Sequence, residues 1–313
     1  MTTSVALCTF RGRQYLPALL ESLAAQTRRP GEVVVCDDAS GDGTADLVRQ
    51  FAPTLPFPVY VHVQPTRLGS TANFDACLGL CTGDVIFLAD QDDVWHPDKI
   101  ERVMREFEQH PHAGLVASDC ELIDESGTPL GRRQWQTLGF RPPADLRVRH
   151  LLPFNVVTGA AAAVRRELLD VIRPIQPGWV HDAWAAVIVA AVSEVRLITD
   201  PLIDYRLHAG QQIGSVESSE RIRRAGKRDA AYFAAVAERF TEAVERLEAF
   251  RSRMVDSEAI ELLRGKVAFA RSQQRMREGR RWRRVTPAVR HLLRGDYHRH
   301  TRGWRAFAAD LLL

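Results

Sequence analysis

The chain has 313 residues, 45% of them hydrophobic and 26% charged, with a formal net charge of +3. Those values exclude a disordered chain, a collagen-like chain and a small stapled scaffold, and they leave room for about two domains. The longest apolar run, Ala183 to Val192, falls well short of the roughly 20 residues that cross a bilayer. No basic stretch followed by an apolar core opens the chain, so no signal peptide is expected. The cysteines (Cys8, Cys36, Cys77, Cys81 and Cys120) are odd in number and form no C-x-x-C pair. Reduced thiols in a cytoplasmic protein are therefore expected.

The first 120 residues alternate short apolar runs with amphipathic stretches. Val5–Cys8, Glu32–Cys36, Val59–Val63, Val85–Ala89 and Gly114–Ser118 each fit a buried strand bounded by turn residues. Leu16, Leu19, Leu20 and Leu23 share one helical face, and so do Ile100, Val103, Met104 and Phe107, with Pro97 near the start of that second helix. Such alternation predicts an α/β layer with a largely parallel sheet, whose ligands sit beyond the C-terminal ends of the strands. From Ala117 to about Val180 the pattern loosens into turns and short strands. A helix over 182–193 and a strand pair over 195–206 follow.

After Ser215 the character changes. Phe233, Val236, Ala237, Phe240, Val244, Leu247 and Met254 keep a helical spacing for about six turns, which predicts one long amphipathic helix. Thr286-Pro287 through Arg294-Gly295 reads as a compact helix with Thr286 as its cap, Pro287 at its first position and Gly295 as its stop. From Ser215 onward there are 23 Lys and Arg against 13 Asp and Glu, whereas the preceding residues hold 19 against 26. An acidic first part suits cation binding; a basic tail suits phosphate-bearing surfaces.

The acidic residues cluster where ligands are expected. The second strand ends in Cys36-Asp37-Asp38-Ala39-Ser40-Gly41-Asp42-Gly43-Thr44, the fourth in Leu88-Ala89-Asp90-Gln91-Asp92-Asp93-Val94-Trp95. Carboxylates packed this closely repel one another, so a cation or a set of donors must offset them. A hard divalent ion takes one or two carboxylates plus a substrate's phosphates. A solvated acidic loop, or capping of the helix after Pro97, would produce the same pattern without a ligand. Gly41-Asp42-Gly43 lacks the third glycine of a dinucleotide fingerprint, and Cys77 and Cys81 have no partner pair at zinc spacing.

Cys8-Thr9-Phe10-Arg11-Gly12, Gln26-Thr27, Cys36-Asp37-Asp38-Ala39-Ser40 and Ala89-Asp90-Gln91-Asp92-Asp93-Val94-Trp95 resemble the motifs of family 2 glycosyltransferases. Thr158-Gly159, His181-Asp182-Ala183-Trp184 and Tyr205-Arg206-Leu207-His208 follow in the family's order, so the resemblance covers about residues 3–214. The Asp-Gln-Asp-Asp-Val-Trp form and the closing stretch from Gly295 resemble the bacterial rhamnosyltransferase-like branch. The resemblance implies the GT-A nucleotide-diphospho-sugar transferase fold, a Rossmann-like mixed sheet flanked by helices. On that basis residues 1–214 form the catalytic domain, with a nucleotide-binding half (1–120) and an acceptor-side half (121–214). Residues 215–313 form a basic helical extension.

The family's roles carry over residue by residue. Thr9 and Asp38 would hold the nucleotide base and ribose, with Arg11, Arg67, Asn73, Asp90 and Gln91 also on the donor side. Asp92 and His208 would face Mg²⁺ or Mn²⁺ and the diphosphate. Asp182 would be the catalytic base, although a helix cap is the plain alternative for it. Trp95, Thr158, Gly159, His181 and Trp184 would lie on the acceptor side, and for Trp95 packing is an equally good reading. One departure stands out: Gln211-Gln212 replaces the Asn that often follows the Tyr-Arg-x-His segment.

The expectation is thus an inverting, metal-dependent transferase moving a sugar, rhamnose from a dTDP donor, onto a saccharide or lipid-linked acceptor in cell-surface polysaccharide synthesis. A UDP-hexose donor is the alternative. A nucleotidyltransferase is a weaker one, because Arg11-Gly12-Arg13 is the only basic loop after the first strand. Residues 264–313 carry 14 basic against three acidic residues, with Trp282, Trp304, Phe307 and Leu311–Leu313 as apolar anchors. Few aromatics interleave with the arginines, so an anionic membrane surface on the cytoplasmic side fits this tail better than nucleic acid. Packing on the catalytic domain or a homodimer contact is the alternative.

Overall fold

The strands foreseen from apolar runs all form in the computed structural model, which describes residues 1–210, 229–279 and 284–312, with the backbone alone for Leu311 and Leu312. Gln211, Gln212, Trp282, Leu313 and the expected boundary after residue 214 lie outside the described residues. The chain divides into two compact units. One comprises 1–146, 156–189 and 193–208; the other comprises 147–155, 190–192 and 209–313.

The first unit is built on one mixed sheet. Its strands are β1 (Thr3–Thr9), β2 (Glu32–Asp37), β3 (Val59–Val63), β4 (Val85–Asp90), β5 (Val94–Trp95), β6 (Ala113–Ile123), β7 (Pro129–Arg133), β8 (Ala162–Arg165) and β9 (Glu194–Arg206). They run in the order β3-β2-β1-β4-β8-β6-β9-β5, with β7 paired to β6. The first four are mutually parallel. β8 then runs antiparallel between β4 and β6, which breaks the expected parallel pattern. Every residue of β1 is buried, as a strand covered on both faces requires. Helices Leu16–Ala24, Thr44–Phe51, Ser70–Leu80 and Lys99–Gln109 supply that cover and return the chain between strands. Leu7, Leu20, Val33, Phe87, Ile100, Phe107 and Leu202 join one core, where each large apolar side chain contributes about 1.5–3 kcal/mol. All five cysteines are free and buried.

Three expectations change here. Val59–Val63 is an edge strand, with Tyr60 and Val63 about half exposed, because no strand among the described residues pairs beyond it. The helix near Pro97 begins only at Lys99, with Asp98 at its cap position. The strand pair over 195–206 is a single strand: its pairing with β6 jumps from Ser118↔Ile198 to Asp119↔Pro201, a bulge next to a residue that has no N–H to give. Beyond the bulge β9 also pairs with β5, Val94 against Asp204 and Trp95 against Ile203. That pairing brings the loop after β4 beside the end of β9.

The second unit is helical. Helices Ala230–Ala249 and Ala259–Glu278 pack together, followed by Val285–Leu293, Asp296–His300 and Trp304–Leu312. The expected six-turn helix stops at Ala249, and a 3₁₀ turn at Arg251–Arg253 precedes Met254. The helix expected from a Thr286 cap starts at Val285, which puts Thr286 inside its first turn. Phe269, Tyr297 and Ala306 form a small core with Leu292 and Phe307 packed on it. Beside it Asp310 accepts from the Tyr297 hydroxyl and from Arg277, a buried set of polar groups that satisfy one another.

Candidate active site

The C-terminal ends of β1, β2 and β4 carry the first part of the site. Parallel pairing sets Thr9 beside Asp37, and the Thr9 hydroxyl donates to Asp37 Oδ2 at 2.8 Å. The Ser40 hydroxyl reaches the same oxygen at 2.6 Å, while its N–H donates to Oδ1 at 2.9 Å. Asp37 therefore ties the two strand ends together, a role that its position beside Asp38 did not disclose. The turns that follow hold Arg11 at φ 50° and Ala39 at φ 55°. For residues other than glycine that region costs about 1–2 kcal/mol each, and Arg11 N–H is fixed there by the Ser40 hydroxyl at 2.9 Å.

Asp38 points the other way. Its two oxygens accept from Leu68 N–H at 2.6 Å and Gly69 N–H at 2.9 Å, at the start of helix Ser70–Leu80. Arg67 approaches to 4.0 Å and lays its guanidinium over the Phe10 ring, 4.0 Å from the centroid. Asn73 is buried in that helix, donating to Cys36 O at 2.8 Å and accepting from Gln64 at 3.1 Å. Gln91 brackets Phe10, donating to its carbonyl at 2.9 Å and accepting from its N–H at 2.8 Å. The Asn73 amide thus joins Cys36 O to the Gln64 side chain, and the Gln91 amide holds the backbone of Phe10. Gly12 has a packing reason of its own, since a Cβ there would sit 1.9 Å from Gln91 Oε1.

The loop after β4 concentrates charge. Burial pushes the Asp90 carboxyl up to about 8, and the charges of Asp92 and Asp182 push in the same direction. Asp93 is raised well above the ordinary range by burial and then by Asp92 and Asp90. Its Oδ1 accepts from Arg206 N–H at 3.1 Å, while Arg206 Nε donates to Asp92 O at 2.8 Å. Lys99, with no exposed surface, donates to Ala160 O at 2.5 Å and sits 3.3 Å above the Trp95 ring. Burial lowers its pKa while Asp93 and Asp90 oppose that shift. Sequence reasoning assigned no role to Lys99 or Arg206. A lysine opening a helix, where acids are favoured, was the available signal for the first.

Asp92 meets His208 at the end of β9, Oδ2 to Nε2 at 2.7 Å. A divalent cation with bonds of about 2.1 Å places neighbouring ligands about 3 Å apart, so this carboxylate and imidazole fit two adjacent positions around one ion. No group of three or more His, Cys, Asp or Glu among the described residues is arranged to hold a metal alone. The remaining positions would have to come from water or from a ligand's own oxygens.

Asp182 stands near the same loop, as its effect on Asp90 records. The helix His181–Val192 has Val180 at its cap position, so Asp182 sits within the first turn and is not the cap. Its oxygens accept from Gly159 N–H at 3.0 Å and Ala183 N–H at 2.5 Å. Thr158 is half-buried beside it, and a Cβ on Gly159 would lie 2.5 Å from His181 Nε2. His181 is buried and stacked on Phe74, centroids 3.7 Å apart. The two tryptophans placed on the acceptor side lie in the interior, as the packing reading of Trp95 allowed. Trp95 is 2% exposed and Trp184 has no exposed surface, its Nε1 donating to Ile172 O at 2.7 Å, so both are packing residues.

The family model described as Glycosyl transferase family 2 matches residues 4–173. An uncharacterized glycosyltransferase of Nostoc is 28% identical over 225 residues, 70% of this chain and 69% of that one. The chain spans 59% of the length of three mycobacterial relatives that it also matches. Among solved structures, Staphylococcus aureus TarS 1–349 in complex with UDP-GlcNAc has a TM-score of 0.56 at 17% identity, over 98% of this chain and 90% of that one. A mannosyltransferase of Pyrobaculum calidifontis in complex with GDP-Man and Mn²⁺ has a TM-score of 0.54 at 20% identity, over 99% and 84%. These structures share the GT-A fold, which is the fold of this chain.

Burial holds the His181 imidazole at about 3, so it stays neutral in the folded chain. Above about pH 6.5 both folded and unfolded states are neutral at this site; below it only the unfolded state takes the proton. Stability is therefore lost as pH falls from about 6.5 towards 3, by about 2 kcal/mol at pH 5 for this residue. Urea unfolding of the wild type and His181→Leu at pH 7.5 and pH 5 measures it: the variant should lack that share of the loss, and equal slopes would refute it.

Proposed function

The chain belongs to glycosyl transferase family 2, and from that premise we propose that it is an inverting, divalent-cation-dependent glycosyltransferase using a nucleoside-diphosphate sugar. The observation that carries the reading is the convergence of Asp90, Asp92, His208 and Asp182, drawn from three separate stretches of chain, around one loop. The nucleotide sugars in the two structural neighbours support it.

In this reading Thr9, Arg11, Asp38 and Arg67 line the base and ribose, with Asp38 accepting from the ring N–H of a pyrimidine. Asn73 and Gln91 shape that side through the backbone they hold. Asp90 faces the ribose or donor sugar. Asp92 and His208 would hold Mg²⁺ or Mn²⁺ against the diphosphate, and when bound the ion supplies positive charge to a leaving group that becomes more negative. Asp182 accepts the proton of the acceptor hydroxyl while that oxygen bonds to the sugar's anomeric carbon. The bond from that carbon to the diphosphate breaks, and its electron pair leaves with the phosphate oxygen. Attack from the face opposite the leaving group inverts the stereochemistry. Gly159 N–H fixes one Asp182 oxygen, which aims the carboxylate without protonating it. Thr158 and His181 complete the acceptor side.

The donor proposed is dTDP-rhamnose, resting on the form of the Asp90–Trp95 loop, and the acceptor is a saccharide or lipid-linked sugar of cell-surface polysaccharide. The UDP-GlcNAc complex of TarS favours a second reading, a UDP-hexose. A thermal-shift panel of dTDP-, UDP- and GDP-sugars with Mn²⁺ tests both. Stabilisation by dTDP-rhamnose above the others is expected; preference for a UDP-sugar selects the second reading, and no response to any donor overturns the first.

Two substitutions separate the roles. Asp92→Asn keeps the shape and a hydrogen bond to His208 but removes the charge. It should abolish the Mn²⁺ dependence of nucleoside-diphosphate binding in isothermal titration, and unchanged dependence would show that Asp92 is no ligand. Asp182→Asn should keep donor affinity while lowering turnover by roughly 10²–10⁴, the usual effect of losing a general base. Near-normal turnover would reduce Asp182 to a structural residue.

A further inference from the structure

We infer that helix Val285–Leu293 docks the helical unit on an anionic lipid surface. Val285, Val289 and Leu293 stand four residues apart and so share one face. They are 50%, 39% and 83% exposed. The adjoining side buries Ala288 and packs Leu292 on the core of Phe269, Tyr297 and Ala306. The apolar arc of this short helix is therefore wider than the core it packs on, and its outer part stays open. Trp304, 63% exposed at the start of the neighbouring helix, adds an aromatic ring. Phe307, which the sequence offered as an anchor, is instead half-buried against Tyr297.

Charge identifies the occupant. The exposed ionised groups across residues 284–310 are Arg290, Arg294, Arg299, Arg302 and Arg305. The two acids of the segment are already engaged, Asp296 by His291 at 2.8 Å and Asp310 by Arg277 and Tyr297. An aliphatic ridge whose own segment exposes positive charge alone has two needs, an apolar layer and a dense set of anions, and the boundary between acyl chains and anionic headgroups meets both. A second copy of the chain would bring the same arginines face to face. A nucleic acid would engage the arginines and leave the ridge in water. The inference goes beyond the transferase reading and does not depend on it.

The test is flotation of the full chain with phosphatidylcholine vesicles, with and without phosphatidylglycerol. Binding to the anionic vesicles alone, weakened by salt, is expected. Val289→Asp with Leu293→Asp should abolish it, and Arg290→Glu with Arg294→Glu should weaken it at least tenfold, since each basic group contributes about fivefold at such a surface (~1 kcal/mol). All four positions are exposed, so unfolding midpoints should hold. Equal binding to both vesicle types, no binding, or variants that float like the wild type would overturn the inference. So would a dimer in sedimentation that Leu293→Asp dissociates, or preferential retention of the chain by RNA.

Discussion

Like-charge crowding in the loop after β4 is the constraint around which the site is organised. Asp90, Asp92 and Asp93 cannot all ionise within a few ångströms of one another without compensation. The fold supplies part of it from three directions, and burial leaves Asp90 and Asp93 with raised pKa values. Lys99 lies beneath the loop, wedged between the Trp95 ring and Ala160 O. Arg206 clamps the backbone of Asp92 and meets Asp93 through its N–H. His208 meets the carboxylate of Asp92. Removing one partner of such a buried set costs about 3–5 kcal/mol, far more than a surface pair contributes. The bulge in β9 belongs to the same arrangement, because it sets the register that brings Arg206 and His208 alongside the loop.

Around that loop, several residues position the site only through other residues. Asp37 binds β1 to β2 and frees Asp38 to face the next helix. Gln91 holds Phe10, whose ring carries Arg67. Phe74, on the helix that follows the Leu68 and Gly69 N–H groups held by Asp38, stacks on His181, the residue before Asp182. Gly159 fits this chain of contacts twice, through its N–H on Asp182 and through the space its missing side chain leaves for His181. Rigidity at the carboxylates thus comes from packing one layer behind them, as a site that must hold its geometry requires.

The helical unit solves a different problem. Its core is small, and part of its stability comes from buried polar groups that pair completely, Asp310 with Tyr297 and Arg277 and Lys266 with the carbonyls of Leu152 and His300. Engaging both acids of residues 284–310 in this way leaves the surface of that segment uniformly basic. The electrostatic character of the tail follows from which charges the fold consumes, more than from its composition.

The sequence by itself determined the parallel half of the sheet, the acidic strand ends and the helix behind Asp182. Each is a local matter: apolar runs of strand length, helical spacing of Leu16 to Leu23, and carboxylates adjacent in the chain. It determined the family too, because the motifs are contiguous words. Tertiary structure decided what those words do. That Asn73 and Gln91 hold backbone and that Lys99 and Arg206 balance the loop depend on contacts between residues from about 40 to more than 100 positions apart, and the burial of Trp95 and Trp184 on the packing of whole elements. No periodicity reports such contacts. The bulge near Pro201 was invisible for the same reason, since a register shift exists only relative to the partner strand. Exposure of Leu293 was equally hidden: helical spacing identifies a face, but only packing decides whether that face meets protein or is left open.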